Sequence, residues 1–287
     1  MTALRSFAPA KINLYLHVTG KRADGYHLLD SLIVFAGAGD YIEAQAAGEL
    51  SLTISGAMGH TLEADDDNLV LKAARALAAA GNVPPYAAIN LEKNLPVASG
   101  IGGGSADAAA TLRVLAKLWN LKIPLEPIAL SLGADVPVCL ARKTRRMTGI
   151  GEILTNGPAM PDLGLVLINP GVPVPTKEIF AARKGPFSPA VIPPVAWRET
   201  KFLAADIADH KNDLQAPAIA RVPEIAAVLE TLHDDKKCLL ARMSGSGATC
   251  FGIYENPAAA AMAAHTIRRA HWWVWGGGLA EILLHDL

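Results

Sequence analysis

Pro96-Val97-Ala98-Ser99-Gly100-Ile101-Gly102-Gly103-Gly104-Ser105-Ala106 is the stretch on which the reading of this chain turns. Four of the six residues from 100 to 105 are glycine. A strand is predicted just before it, over 87–91. A helix is predicted to open at Ser105 and run to about Trp119, with Leu112, Leu115 and Trp119 at helical spacing. Glycine lets a backbone take positive φ and lets a ligand approach the N–H groups closely. A helix N-terminus offers free N–H groups and the positive end of the macrodipole. A strand, a glycine loop and a helix start, in that order, suit a bound phosphate. The loop is not a Walker A loop, because Gly-Lys-Ser/Thr is missing. It is not a Rossmann fingerprint either, because Ser105 stands where the third glycine would be. Glycine count alone decides nothing in a chain with 25 glycines among 287 residues. A flexible loop or a close-packed turn is the other reading, and the helix start puts phosphate binding ahead of it.

Upstream of the loop, residues 9–35 read as a β-hairpin. Ile12, Leu14, Leu16 and Val18 alternate with Lys11, Asn13, Tyr15 and His17, which predicts a half-buried strand with one polar face. Asp24-Gly25 marks the turn, and 26–35 returns as the second strand. Residues 50–54 form another short strand. A helix is predicted over 69–80, with Asp67 or Asn68 as its N-cap and Gly81 just past its end. Asp65-Asp66-Asp67 reads as a capping, solvated turn rather than a metal site.

Downstream, 124–132 reads as a shorter helix stopped by Gly133, and Pro137 is expected to hold Val136 extended. A boundary is expected in 149–161, which is rich in Gly, Pro and Asn. Beyond it come a strand at 163–168, a proline-rich loop at 185–194 and a helix at 222–233. Strands at 239–243 and 249–254 flank the tight stretch 244–247. A helix at 257–270 and a strand at 272–275 end the chain. Strands do not alternate regularly with helices, so the fold class is α+β, and the second half reads as a compact α/β sandwich.

Three further places carry candidate chemistry. Lys11 shares its strand face with hydrogen-bonding rather than charged neighbours, and a solvated edge and a lined cleft are equally good readings of it. Asp135 sits in Leu-Gly-Ala-Asp-Val-Pro, 132–137, where an aspartate is most often a turn former. The functional alternative is a carboxylate on a rigid corner, placed to take a hydroxyl proton. Ser244-Gly245-Ser246-Gly247 is either a plain hairpin turn or a second set of backbone donors closing on the first loop.

Composition narrows the classes. Hydrophobic residues make up 51% and charged residues 18%, so the chain folds, and 287 residues accommodate two cores. A net charge of −1 gives no global basic surface for nucleic acid. The three cysteines are distant from one another and lack any C-x-x-C pair, which fits buried thiols in a reducing compartment. No apolar run before Lys11 suits a signal peptide, and none reaches the length of a membrane helix. The expectation is a cytoplasmic protein without a membrane partner. No close histidine pair suits a metal, and Ser99, Ser105 and Ser246 lack the G-x-S-x-G setting of a hydrolase nucleophile.

Taken together and in order, Pro9-Ala10-Lys11-Ile12-Asn13, the stretch 96–109 and the stretch 244–249 resemble the three motifs of the GHMP kinase superfamily. PAKINLYLHVTGKRADGYHLLDSL at 9–32, NLPVASGIGGGSADAA at 94–109 and LGADVPVCL at 132–140 narrow the resemblance. GIGE at 149–152 and NPGVPVPTKEIF at 169–180 extend it over nearly the whole chain. They resemble the branch that phosphorylates the 2-hydroxyl of 4-diphosphocytidyl-2-C-methyl-D-erythritol in the non-mevalonate route to isoprenoid precursors.

The resemblance implies a two-domain α+β fold: an N-terminal S5 domain 2-like α/β domain at 1–155 and a C-terminal ferredoxin-like α/β sandwich at 156–287. It implies ATP as phosphoryl donor with Mg²⁺, a small substrate carrying a cytidine diphosphate group, and a monomer or homodimer. It carries the base onto Asp135, the lysine beside it onto Lys11, and the ATP loop onto 96–106. Asn68 and Lys93 fall near the ATP nucleoside. Asn13, Tyr26, His27, Thr176 and Phe180 fall where that branch binds substrate, with Gly245, Ser246 and Gly247 in the third motif. One departure is Ala106, where a second serine is usual; it leaves Ser105 to supply any hydroxyl contact to Mg²⁺ or phosphate. The basic stretch 142–147 is also unusual. Rivals are kinases of mevalonate-type or homoserine-type alcohols, disfavoured by Gly25-Tyr26-His27 and LGADVPVC. A non-catalytic nucleotide-binding protein on the same fold is disfavoured by retention of both Lys11 and Asp135.

Overall fold

The computed structural model describes residues 3–281. The chain opens with the long hairpin of β1 (Leu4–Lys21) and β2 (His27–Gln45). There follow β3 (Leu50–Ser55), α1 (Leu69–Gly81), β4 (Ala87–Glu92), α2 (Gly103–Leu118), α3 (Glu126–Leu132), α4 (Val136–Ala141), β5 (Arg145–Gly149) and β6 (Ile153–Asn156). These strands form one sheet. β2 is its axis, with β1 antiparallel along one edge and both β4 and β5 antiparallel along the other. Residues 41–45 of β2 pair with β4 and residues 29–33 pair with β5.

The rest of the chain runs β7 (Gly164–Asn169), α5 (Thr176–Ala182), α6 (Thr200–Ala208), α7 (Gln215–Arg221), α8 (Glu224–Asp234), β8 (Leu240–Met243), β9 (Cys250–Tyr254), α9 (Pro257–Thr266) and β10 (Trp273–Gly277). Its four strands make a second, antiparallel sheet in the order β10-β7-β9-β8.

The packing explains why β1 is not the half-exposed strand its alternation predicts. Ala10, Ile12 and Leu14 face the second sheet, in a core shared with Leu163, Leu165, Leu167, Phe251 and Ile253. Lys11 and Asn13 on the other face are buried as well. Beyond the register shift between Asn13 and Tyr15, Tyr15 packs in the same core as Ile12 and Leu14, and the buried His17 lies against its ring at 5.3 Å. A polar face buried this deeply has to satisfy its donors and acceptors within the protein. A second core lies between the first sheet and its helices, with Ile33, Ile89 and Leu91 against Leu77, Leu112 and Leu115. A third lies between the second sheet and α8, with Val166 and Ile168 against Ile225, Val228 and Leu232. Arg242 ties the halves together. Its buried guanidinium donates to the carbonyls of Leu14 at 2.8 Å, Ile207 at 3.0 Å and His210 at 2.6 Å. Burial lowers its pKa to about 10, which leaves it charged at neutral pH.

Several expectations need correction. Gly81 belongs to α1, and Asn82 takes the left-handed cap at φ 50°. Val136 is not extended. It starts α4, and Pro137 occupies the first turn, where its missing N–H costs nothing. The stretch 149–161 is not simply a boundary, because β5 ends in it and β6 follows. The last helix stops at Thr266. Elements α4 to α7 and the β5–β6 hairpin went unread; α4, α5 and α7 are each of seven residues or fewer, too short to show a helical period.

Candidate active site

The local sequence sets Lys11 in place. Pro9 has no N–H to give the sheet. The β1–β2 ladder breaks there, stepping from Pro9–Gly39 to Lys11–Phe35, and the Lys11 N–H donates instead to the Ile101 carbonyl at 2.9 Å. Strand and glycine loop are thereby joined directly. Bulges commonly re-aim side chains beside active sites. Here the Lys11 ammonium reaches Asp135 Oδ2 at 2.7 Å.

Asp135 is the residue before α4, with φ −86° and ψ −14°, and its carboxylate caps no backbone N–H. It is thus left for Lys11 and for a ligand. The lysine side chain is 6% exposed and the aspartate side chain 38%, so one oxygen-bearing face of the pair opens outward. They open into a cavity of about 1290 Å³.

That cavity gathers most of the predicted site. It is lined by Lys11, Asn13, Tyr26, His27, Asn68, Lys93, Thr176, Phe180, Gly245, Ser246 and Asp135. From the loop come Pro96, Val97, Ala98, Ser99, Gly100, Gly102, Gly103, Gly104 and Ser105. Three predicted residues do not line it. Ile101 turns into the core between the sheets. A Cβ on Gly247 would point at Met243 and Ile225 instead. Ala106 is packed into the helix-side core, so a serine hydroxyl there would face apolar side chains rather than phosphate. The substitution that singled this loop out therefore removes no hydroxyl from the cavity.

The first loop enters α2 through Gly102, at φ 64°. The second loop closes on it as a backbone platform. Ser244 Oγ accepts from the Asn13 N–H at 3.1 Å and donates to the Gly100 carbonyl at 3.2 Å, and the Thr249 N–H donates to the Ser99 carbonyl at 3.0 Å.

In the same cavity, His27 and Phe180 stack with ring centroids 5.2 Å apart and an interplanar angle of 28°. Tyr26 lies exposed beside them. Burial lowers the His27 pKa, and the charges of Lys21 and Arg183 push it the same way. Thr176 Oγ1 and Ser246 Oγ are 2.8 Å apart, which joins α5 to the second loop.

Two cavity residues have their polar groups already engaged. Asn68 accepts from the Val70 N–H at 3.0 Å and donates to the Glu63 carbonyl at 3.1 Å, which makes it the cap of α1. Lys93 lies 2.6 Å from both Asp40 Oδ2 and Asp107 Oδ2. All three groups are buried, directly behind Gly103. Burial pushes the Asp107 carboxyl up to about 7 against the pull of the lysine. Asp40 also takes the N–H groups of Asn94 and Leu95 at 2.6 and 2.8 Å, which fixes the entry to the loop. Sequence reading missed this triad, since its members are 14 and 53 residues apart from Lys93 and share no motif. Inside the basic stretch, Arg146 is used structurally, in a two-armed bond to buried Asp30 at 3.0 and 2.7 Å. Ion pairs of Asp67 with Lys72 and Asp66 with Arg75 bear out the solvated-turn reading of 65–67.

The site is thus a glycine cradle on a helix start, a lysine–carboxylate pair beside it, and a second glycine loop, arranged along one cavity. Fold and site together define a GHMP kinase. The family description "GHMP kinases N terminal domain" matches residues 68–143, and "GHMP kinases C terminal" matches 201–272. A curated protein of Granulibacter bethesdensis, named 4-diphosphocytidyl-2-C-methyl-D-erythritol kinase, is 52% identical over 283 residues, covering 96% of this chain and 94% of that one. One of Cereibacter sphaeroides with the same name is 54% identical over 276 residues, covering 94% and 96%. A crystal structure of 4-(cytidine 5'-diphospho)-2C-methyl-D-erythritol kinase superposes with a TM-score of 0.80 at 33% identity, covering 97% of this chain and all of that one. A homoserine kinase of Cytophaga hutchinsonii, at 18% identity and TM-score 0.68, shares the fold. The chain belongs to the 4-diphosphocytidyl-2-C-methyl-D-erythritol kinase family.

Proposed function

We propose that this protein transfers the γ-phosphoryl group of ATP to the 2-hydroxyl of 4-diphosphocytidyl-2-C-methyl-D-erythritol, a step in the non-mevalonate route to isoprenoid precursors. The observation that carries the mechanism is the 2.7 Å Lys11–Asp135 pair, which shares one cavity with the glycine cradle and the His27–Phe180 stack. Phosphoryl transfer asks a protein chiefly for alignment and for charge stabilisation. N–H groups at the start of α2 hold the nucleotide's phosphates. The substrate hydroxyl approaches Asp135. As its oxygen bonds to the γ-phosphorus, its proton passes to the Asp135 carboxylate, the bond to the β–γ bridging oxygen breaks, and ADP leaves. Lys11 fixes the carboxylate and offers positive charge to the moving phosphoryl group. The cytidine end binds at His27, Phe180 and Tyr26, far from the reacting oxygen. Its binding energy serves to orient the alcohol.

Magnesium bound with the nucleotide would take most of its ligands from phosphate oxygens and water, with the Ser105 hydroxyl as the loop's own contact. Among the described residues no group of three or more His, Cys, Asp or Glu side chains stands ready to hold a metal. The Ser99 hydroxyl is spent on the Pro96 carbonyl at 2.6 Å, which leaves the half-buried Ser105 hydroxyl as the loop's contact. The ion supplies neutralisation of phosphate charge.

We divide the chain functionally at 155/156, a division supported by the change of sheet between Asn156 and Gly164. Free thiols at Cys139, Cys238 and Cys250 support a reducing, cytoplasmic setting. Among the described residues no helix is long and apolar enough to cross a membrane.

The test of the mechanism is Asp135→Asn. Turnover should fall by about 10²–10⁴-fold, the usual worth of a placed general base, while calorimetry shows ATP and the alcohol still binding. Near-normal turnover with both ligands bound would remove Asp135 as the base.

A further inference from the structure

The second glycine loop hangs on a residue that lies in none of the three motifs. Asn212 falls between α6 and α7, 31 residues before Met243, and is buried. Its Nδ2 donates to the carbonyls of Met243 and Gly245, both at 2.8 Å. Its Oδ1 accepts from the Leu214 N–H at 2.9 Å. The whole amide is committed to backbone. The same segment is sewn to the strand that carries Lys11. The Leu16 N–H donates to the Lys211 carbonyl at 3.1 Å, and the Asp213 N–H donates to the Leu16 carbonyl at 2.8 Å.

The carbonyl and N–H of a trans peptide point in opposite directions. Holding the Met243 carbonyl toward Asn212 turns the Ser244 N–H the other way, and it donates there to the Thr249 carbonyl at 2.9 Å. Holding the Gly245 carbonyl toward Asn212 in the same way turns the Ser246 N–H away from it. Gly245 and Ser246 line the cavity and Asn212 does not. Among the described residues the Ser246 N–H has no hydrogen-bond partner. An unpaired donor on a peptide fixed by a buried amide is what a developing negative charge requires.

We propose that Asn212 is a positioning residue for phosphoryl transfer, acting through the Gly245–Ser246 peptide to aim the Ser246 N–H at the group that passes from nucleotide to alcohol. This rests on the kinase reading above. Asn212→Asp keeps the shape and loses both donors, setting a carboxylate against two carbonyl oxygens. The expected result is a kcat lower by about 10²-fold, the scale set by loss of one such donor, with KM for the alcohol and affinity for ATP little changed. A buried carboxyl holds its proton to higher pH than a solvated one, and once protonated it donates one bond. The variant's kcat relative to wild type should therefore recover as pH falls from about 8 to about 6. A merely structural residue predicts a recovery that runs in parallel with ATP affinity and melting temperature, not one confined to kcat.

The proposal is overturned by a near-normal kcat in Asn212→Asp. It is equally overturned by a loss that tracks ATP affinity and melting temperature, whether or not all three recover at low pH. If the variant does not fold, the wild-type protein decides the matter by NMR. The Ser246 amide resonance should shift further with a non-hydrolysable ATP analogue and the alcohol together than with either alone, and an unmoved resonance defeats the proposal. Wild-type turnover of the diphosphocytidyl alcohol in the same assay separates the two ideas. Its absence sinks the kinase reading; its presence beside an unaffected Asn212→Asp sinks only this one.

Discussion

A Cβ placed on Gly104 would meet no atom within 4 Å, whereas one placed on Gly100 would lie 2.6 Å from the Ser244 carbonyl oxygen and 2.7 Å from the Gly247 nitrogen. In the second loop, a Cβ on Gly245 would lie 2.6 Å from the Gly100 carbonyl oxygen. The glycines of these two loops look alike in sequence but serve different needs. Gly104 keeps a side chain out of space that a ligand enters, while Gly102 and Gly103 leave room for the Lys11 and Lys93 side chains, 3.2 and 3.1 Å from where a Cβ would stand. Gly100 and Gly245 let two backbones touch. Gly104 shapes binding, and Gly100 and Gly245 hold the two loops together.

The largest effect should come from breaking the contact between the loops. Gly100→Ala meets backbone rather than a yielding side chain, at a φ of 75° that alanine adopts at a cost. Turnover should fall by about 10²-fold and stability by about 2 kcal/mol, read from kcat and thermal melting together. Gly104→Ala should separate the two functions. It lies in the first turn of α2, in open space and without positive φ. Stability should hold or rise by about 0.5 kcal/mol, since alanine is the better helix residue. ATP affinity should drop by about tenfold, because the methyl group takes room the phosphates need. Equal effects of both substitutions on folding would erase the distinction.

Much of this was legible in the sequence because it was local. The period-two run 11–18, the Asn68 cap and the glycine loop before α2 each announce themselves within a few residues. Lys11 and Asp135 were legible only through resemblance. They are 124 residues apart, and the bond between them depends on a bulge at Pro9 and on α4, which is six residues long. The triad of Lys93, Asp40 and Asp107 and the strut at Asn212 left no periodic trace, because single polar residues buried by distant elements have none. The burial of the polar face of β1 was missed for the same physical reason. Alternation reports that a strand has two chemically different faces, not that both are covered.

At the His27–Phe180 stack the effects should be smaller and confined to one ligand. Phe180→Ala should weaken the cytidyl alcohol by about tenfold, near the upper worth of an aromatic stack, and leave ATP affinity unchanged in calorimetry. Equal weakening of both ligands would take Phe180 out of the site. The smallest effect concerns pH. His27 has its pKa lowered by burial, so the folded protein favours its neutral form. That preference contributes stability above the ordinary histidine pKa of about 6.5, and the contribution is lost as pH falls through the lower folded value. Cytidine diphosphate binding should therefore be flat above about pH 6.5 and change only below it. A change centred above that pH would contradict the assignment of His27.

The most direct test is ³¹P NMR of the wild-type protein with ATP, Mg²⁺ and one of three alcohols: the diphosphocytidyl methylerythritol, mevalonate or homoserine. Only the first should give ADP together with a new phosphomonoester resonance coupled to the carbon skeleton at the 2-position. ADP with either of the other alcohols and none with the first would contradict the union of phosphate cradle, Lys11–Asp135 pair and cytidyl cleft described here.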